Sequence, residues 1–498
     1  MQVLENQALA FCLVPGAGIE PARIAPLVFE TSASTDSAIR AGVLFCSLKS
    51  GRKEALEGFS FSLRIAKVSD FSEFAKLIVA FSVLPVAASM NLPRISLYLY
   101  AITKTAMEQI NIYSGKRPVS RIVTAGSMKE LNLCLEPYRK TFAVVDRNVA
   151  DKCPAVAHLA DDLKVRGVDI KLIMPSEEAK TLETVMDICA WLLECNADRD
   201  ALVLAIGGGI TTDMAGFAAS IYKRGVRFAY VPTTLLSQVD AAIGGKTGVN
   251  FDRYKNILGV IRQPEFTFIC PQVLEILPMR DFTSGAAEML KTFVIEDGGN
   301  YRKAADLFFD MAGEYHLEVL LHCKHAEPTW SAILKKRMKE LAGLITAAAR
   351  VKAGVVSRDQ FERGERRKLN LGHTFAHAIE TLAQRDGGER FRTEDGVGTA
   401  GVTHGEAVAM GMVLAARLAD RYYRNDCSDP TALESQMSND LWDSNVPCFC
   451  PYSIEEMAQV MKKDKNAEGG KIHFVLPKAI GQVEIVDLTV EEVCRLMA

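Results

Sequence analysis

Three histidines and one carboxylate carry the metal-type chemistry of this 498-residue chain. His373 and His377 stand in LNLGHTFAHAIE and His404 in THGEAVAMGM, out of only eight histidines in the sequence. The i, i+4 spacing puts His373 and His377 on one helix face, so both could reach one point. A catalytic divalent site also needs a carboxylate, and Glu288 in GAAEMLK is the best candidate. Two histidines and a carboxylate with an open position suit Zn2+ or a similar ion, which binds hydroxyls and lowers their pKa. The sequence has no HExxH string, so a zincin protease is not suggested. Taken alone, a His pair at this spacing is more often a helix-surface pair, and a single helix Glu is more often solvated. Lys291, one turn after Glu288, then reads as its i, i+3 ion-pair partner.

A second kind of chemistry lies upstream. The apolar run ALVLAI leads straight into Gly207-Gly208-Gly209 and then into a helix-compatible run ending near Tyr222. Glycines at a strand end let a diphosphate approach bare backbone N–H groups, and the following helix N-terminus adds partial positive charge. A tight βα turn would explain the glycines by themselves. A second pair, Gly244-Gly245, sits beside Lys246, with Lys255 and Asn256 a short loop further on. A nucleotide site and an anion site within about fifty residues is more than core packing requires.

The elements that must position these residues divide the chain. From residue 107 to about 275, RIVTAG, TFAVVD, VDIKLIMP, ALVLAIGGG, RFAYVPTT and FTFICP read as strands, and segments between them such as LETVMDICAWLLE as helices. That alternation predicts a Rossmann-like α/β nucleotide-binding domain with a mainly parallel sheet, over residues 107–279. After residue 280 the strands nearly vanish, apart from KIHFVLP, so residues 280–498 are expected to form a mainly helical metal and substrate domain. The site belongs in the cleft between the two. Residues 1–106 lack a phosphate loop and amphipathic repeats. They read as an extension of uncertain structure or a mis-annotated start, with Met90 and Met107 as alternative starts. The apolar run from Leu77 to Met90 is interrupted by Pro85 and too short to span a membrane.

Composition fits an ordinary cytoplasmic enzyme. The chain is 49% hydrophobic and 24% charged with a formal net charge of −3, which argues against nucleic acid or a membrane as partner. The 12 cysteines are scattered without a CxxC pair, so reduced thiols are expected rather than structural zinc or a disulfide framework.

Taken together, AIGGGITTDMAGFAASIYKRGVRF, VPTTLLSQVDAAIGGKTGVN, YKNILG, LPMRDFTSGAAEMLK, KLNLGHTFAHAIE and HGEAVAMGM make residues 107–498 resemble the 3-dehydroquinate synthase family. The triple glycine alone would also fit glycerol-dehydrogenase-like and iron-dependent alcohol dehydrogenases. IGGKTGVN and YKN fit those less well. By this resemblance Glu288, His373 and His404 are ligands of a divalent metal, Zn or Co. Asp146, Asn148, Glu177, Lys180, Gly208, Gly209, Asp213, Thr233 and Thr234 would bind NAD. Asp240, Lys246, Lys255, Asn256, Lys291, Lys352, Arg366, Asn370 and His377 would face substrate, with Lys246, Lys291, Asn370 and His377 as the catalytic set. By the same resemblance Lys465 in KDKN would be a further substrate lysine, and Arg224 would reach the substrate phosphate across a homodimer interface.

The resemblance implies conversion of 3-deoxy-arabino-heptulosonate 7-phosphate into 3-dehydroquinate and phosphate, in the shikimate pathway of aromatic amino acid biosynthesis. That substrate carries a carboxylate at one end and a phosphate at the other, so a ring of Lys and Arg is expected. NAD is expected to be recycled: it takes a hydride, phosphate leaves by β-elimination, and the hydride returns. Two departures stand out. Ser176 replaces the usual glycine in the NAD loop, and the linker AQRDGGERFRTEDGVGTAGVT between His377 and His404 is long. The linker reads as a surface loop; it either returns His404 to the metal or displaces it. The competing readings are a related sugar-phosphate cyclase, a simple NAD-dependent polyol dehydrogenase, and an inactive NAD-binding scaffold. Lys352, Arg366 and Asn370 favour a carboxylate-bearing substrate.

Overall fold

The computed structural model describes residues 43–49, 60–67, 107–252, 254–321, 330–391, 401–424, 432–462 and 470–498. The chain forms two compact units, residues 1–101 and 102–498. In the first, strands β1 (Val43–Lys49) and β2 (Ser60–Lys67) pair antiparallel. The apolar run 77–90 lies outside the described residues, as does Lys465.

The second unit opens on β3 (Glu108–Ser114) and β4 (Arg117–Thr124). It continues through β5 (Thr141–Asp146), β6 (Asp169–Ile173), β7 (Leu202–Gly207) and β8 (Arg227–Pro232). A hairpin of β9 (Lys246–Phe251) and β10 (Tyr254–Ile261) precedes β11 (Phe266–Ile269). The seven-stranded sheet runs β3-β4-β11-β8-β7-β5-β6, parallel except for the β3–β4 pair. Every residue of β5 and β7 is buried, as strands covered on both faces require. The chain passes from β5 to β6 on one side and then to β7 on the other. This reversal opens the crevice at the strands' carboxyl ends, where α/β sheets bind ligands.

The helices of this half are α1 (Leu131–Leu135), α2 (Arg147–Lys152), α3 (Pro154–Val165), α4 (Leu182–Glu194) and α5 (Gly209–Ile221). Helix α5 starts directly from the glycine loop after β7. None of Gly207, Gly208 and Gly209 has positive φ. They are required by proximity: a Cβ at Gly207 would stand 2.6 Å from the Thr211 side chain, and one at Gly208 3.0 Å from Thr234.

The remaining chain is mostly helical. Helices α6 (Met279–Glu296), α7 (Gly298–Leu321), α8 (Trp330–Arg358), α9 (His373–Arg385) and α10 (His404–Arg424) come first. Then follow α11 (Leu433–Asp443), α12 (Ile454–Met461), the hairpin β12 (Ile472–Ala479) with β13 (Gln482–Leu488), and α13 (Val490–Met497). Helix α6 is buried from Phe282 to Ile295 and is the central strut. Gly372 caps α9 with φ +78°, and a Cβ there would lie 2.9 Å from the backbone nitrogen of Met412 on α10. Its absence lets α9 and α10 lie close.

Two hairpins were not expected from the sequence. KIHFVLP was expected as a lone strand, yet QVEIVDL pairs with it as β13. No strand was expected between RFAYVPTT and FTFICP, yet Lys246 to Ile261 forms β9–β10, and β10 is so exposed that it shows no apolar alternation.

Candidate active site

Glu288 projects from the middle of α6 and is fully buried. His373 opens α9 and His404 opens α10, so three helices bring the three side chains to one point. Their ligand atoms lie within 4.8 Å of one another. Glu288 Oε1 is 3.4 Å from His404 Nε2 and 3.9 Å from His373 Nε2. The other ring nitrogens are held from behind: His373 Nδ1 lies 3.2 Å from the Leu371 carbonyl and His404 Nδ1 3.4 Å from Glu380 Oε1. Such hydrogen bonds leave each Nε2 as the face turned to the shared point. One carboxylate and two imidazoles with room for further ligands is a donor set that fits a catalytic Zn2+ or similar ion.

Electrostatics follow the same geometry. Burial alone would raise the Glu288 carboxyl, but Lys291 and the two histidines hold it well below the usual range. Burial, reinforced by Lys291, pushes His373 down to about 3, so its imidazole is neutral and its lone pair free for a cation. His404, against the opposing effect of burial, is lifted to about 10 by Glu288 and Glu380. An incoming cation must displace that proton.

A chain of charges leads away from this point. Lys291 ion-pairs with Glu288 and lies 3.7 Å from Asp240 Oδ1. Lys352, buried on α8, donates to Asp240 Oδ1 at 2.5 Å and to its backbone carbonyl at 2.7 Å. Burial pushes the Lys352 ammonium down to about 8, with Asp240 pulling the other way and Lys291 pushing further down. Arg366, also buried, donates to the Gln360 carbonyl at 2.5 Å, and its guanidinium occupies the space where Gly244 lacks a side chain. Lys246 ion-pairs with Glu362, whose other oxygen accepts from Asn370 Nδ2 at 2.9 Å. Lys255 donates to Glu380 at 3.2 Å. The His377 ring lies 5.7 Å from that of His373, centre to centre, one turn along α9 and exposed.

The residues expected to hold the dinucleotide line the carboxyl ends of the strands. Asp146 ends β5 and caps α2 by accepting from the Asn148 N–H at 2.9 Å. Gly208 and Gly209 lead into α5, and Asp213 in its second turn accepts from Lys180 Nζ at 2.6 Å. Thr233 and Thr234 follow β8, where the Thr234 hydroxyl bonds Ser237 at 2.8 Å. Ser176 accepts from the Ala179 N–H at 3.1 Å, a local turn that carries the loop without the glycine expected there. Glu177 bonds Asn250 and Lys180 bonds Asn256, so the loop is tied to the β9–β10 hairpin.

Arg224 stands apart. It is exposed at the far end of α5, with φ +67°, a helix length of about 20 Å from the glycine loop. The long linker does not displace His404. Arg280 of α6 forms a two-pronged pair with Glu406, each bond 2.8 Å, and also donates to the Gly401 carbonyl at 2.8 Å. The Gly405 N–H donates to Ser284 Oγ at 3.1 Å, and any Cβ at Gly405 would collide with the Ser284 backbone.

Glu380, Glu362, Arg280, Glu406 and Asn250 were not anticipated from the sequence. Glu380 was legible, because HTFAHAIE places it at i+7 from His373 and i+3 from His377, on the same face. Glu362 sits in a turn and Asn250 near the end of β9, and neither left such a signal.

A family model described as 3-dehydroquinate synthase N-terminal matches residues 170–284, and one described as 3-dehydroquinate synthase C-terminal matches residues 285–467. The 3-dehydroquinate synthase of Microcystis aeruginosa is 35% identical over 371 residues, covering 73% of this chain and 88% of that protein. That of Dictyoglomus thermophilum is 36% identical over 327 residues, covering 66% of this chain and 81% of its own. Among solved structures, 2-epi-5-epi-valiolone synthase from Streptomyces hygroscopicus subsp. jinggangensis, with NAD+ and Zn2+ bound, aligns with a TM-score of 0.60 at 26% identity. The alignment covers 77% of this chain and 96% of that one.

Proposed function

The chain belongs to the 3-dehydroquinate synthase family, and on that premise we propose that it converts 3-deoxy-arabino-heptulosonate 7-phosphate into 3-dehydroquinate and phosphate. It is a lyase of the shikimate pathway, with NAD and a divalent metal as cofactors. The observation that carries this reading is the Glu288–His373–His404 cluster joined through Lys291 to Asp240 and Lys352. When bound, NAD would supply reversible hydride acceptance, and Zn or Co at the three ligands would supply Lewis acidity toward substrate hydroxyls.

The chain's own residues would do the rest. Asp146, Asn148, Glu177, Lys180, Gly208, Gly209, Asp213, Thr233 and Thr234 would hold the dinucleotide along the strand ends. Lys352 and Arg366, buried and basic, would receive the substrate carboxylate with Asn370. Lys246, Lys255 and Asn256 on the β9–β10 hairpin would face the substrate, with Lys246 and Asn370 first released from Glu362. Lys291 would balance Glu288 and Asp240, and His377 would move a proton at its imidazole as phosphate departs.

Arg224 would complete the site from a second copy of the chain. Support for a homodimer comes from the distance of Arg224 from its own glycine loop and from the apolar Phe251, Tyr254, Ile257 and Val260 exposed on the hairpin. We assign residues 107–279 to the NAD domain and 280–498 to the metal and substrate domain, with 1–106 as an extension. No helix of the described residues is long and apolar enough to cross a membrane. Cytoplasmic location is supported by the free cysteines Cys134, Cys153, Cys189, Cys195, Cys270, Cys448, Cys450 and Cys494.

The test is phosphate release together with dehydroquinate formation, with and without chelator. Both products should appear, stop on chelation, and leave no accumulated NADH. Accumulating NADH without phosphate would make the chain a dehydrogenase instead.

A further inference from the structure

Asn250 stands next to last in β9 and uses its whole amide on two other segments. Its Nδ2 donates to the Glu177 carboxylate at 2.8 Å and to the Glu177 backbone carbonyl at 3.2 Å. Its Oδ1 accepts the N–H of Asn256 at 2.9 Å. The amide orientation is fixed by its partners, since a backbone N–H only donates and a carbonyl only accepts. The backbone joins in: the Asn250 N–H donates to the Lys180 carbonyl at 2.9 Å. Lys180 Nζ in turn donates to Asn256 Oδ1 at 2.5 Å, which closes a ring through Asn250, Asn256 and Lys180. The same ammonium reaches Asp213 on α5, just past the glycine loop.

Asn256 has φ +52°, a left-handed conformation that asparagine adopts more readily than other residues with a side chain. The bond from its N–H to Asn250 is the local restraint. The adjacent Lys255 points to Glu380, the partner of His404. The loop from Glu177 to Lys180 and the turn at Lys255 and Asn256 are therefore not independent: a shift in either pulls on one shared amide.

We propose that Asn250 is a positioning residue that couples the dinucleotide loop to the substrate turn, so that NAD and substrate each tighten the binding of the other. This rests on the assignment of Glu177 and Lys180 to NAD and of Lys255 and Asn256 to substrate. Because coupling between sites is reciprocal, it can be read from either ligand.

The experiment measures the NAD dissociation constant of the full, metal-loaded chain, with and without saturating 3-dehydroquinate, for wild type, Asn250→Ala and Asn250→Asp. In wild type, 3-dehydroquinate should tighten NAD by roughly 5- to 50-fold, within the usual range of coupling between sites. In Asn250→Ala that factor should fall to near one with metal content unchanged, since the metal ligands lie on other elements. Asn250→Asp keeps the acceptor for the Asn256 N–H but sets a carboxylate against Glu177. It should weaken NAD while the Michaelis constant for substrate changes less, and its coupling factor should fall between those of wild type and Asn250→Ala. Asn250→Asp keeps the test decisive if Asn250→Ala fails to fold. An unchanged coupling factor in Asn250→Ala, or in Asn250→Asp where the alanine variant fails to fold, overturns the role of Asn250 while the proposed reaction stands. A wild-type chain that binds no NAD overturns both.

Discussion

Lys352 holds Asp240 at two points, its carboxylate at 2.5 Å and its backbone carbonyl at 2.7 Å. Asp240 sits in a short π-helix, Ser237–Ala241, of the sheet half, and Lys352 on α8 of the helical half. One ammonium therefore stitches the halves together at the place where an anionic substrate is proposed to bind.

This pair makes a pH prediction with two signs. The Lys352 ammonium is pushed down to about 8 from its ordinary 10.5, so its charge is present below about pH 8 and lost above it. Catalytic efficiency toward the anionic substrate should fall as pH rises through about 8. Stability should respond oppositely. Between about 8 and 10.5 the unfolded chain binds more protons at this residue, so the cost of burying its charge is relieved as pH rises. Lys352→Arg should lose the falling limb near pH 8, because a guanidinium stays charged. Identical limbs in both proteins would show that another group governs the profile.

Replacing any of Glu288, His373 and His404 should abolish turnover and leave little metal after dialysis, because two remaining ligands make an incomplete shell. Metal analysis beside the phosphate assay checks this. Full occupancy in His404→Ala would move the third ligand elsewhere.

His377→Ala should keep metal and NAD but slow turnover by roughly 10²–10⁴-fold, the range for a lost acid–base group. Loss of metal would make His377 a ligand. Undiminished turnover would make this part of α9 structural.

Deleting residues 1–89 should leave melting temperature and turnover almost unchanged. The compact unit 102–498 contains every proposed site residue and has its own core. A clear drop in melting temperature would mean that the extension stabilises that core.

The sequence announced its strands where burial was two-sided. TFAVVD and ALVLAI are continuous apolar runs, and both became central strands of the parallel sheet. The β9–β10 hairpin escaped because β10 is exposed and carries none of that signal. For the metal cluster the sequence offered residue types, but the meeting of α6, α9 and α10 is a property of packing. It depends on Gly372 and Gly405 allowing helices to approach at distances that a pattern of apolar residues does not encode. The same limit hid Glu362 and Asn250, whose partners are remote in sequence or held by a turn.

The clasp of Arg280 on Glu406 and Gly401 bears on how His404 is aimed. The start of α10 is fastened to α6 on both sides of His404, at Gly401 and at Glu406. A helix start pinned in this way carries its own alignment, so that His404 faces Glu288 by virtue of contacts made within α6 and α10 themselves.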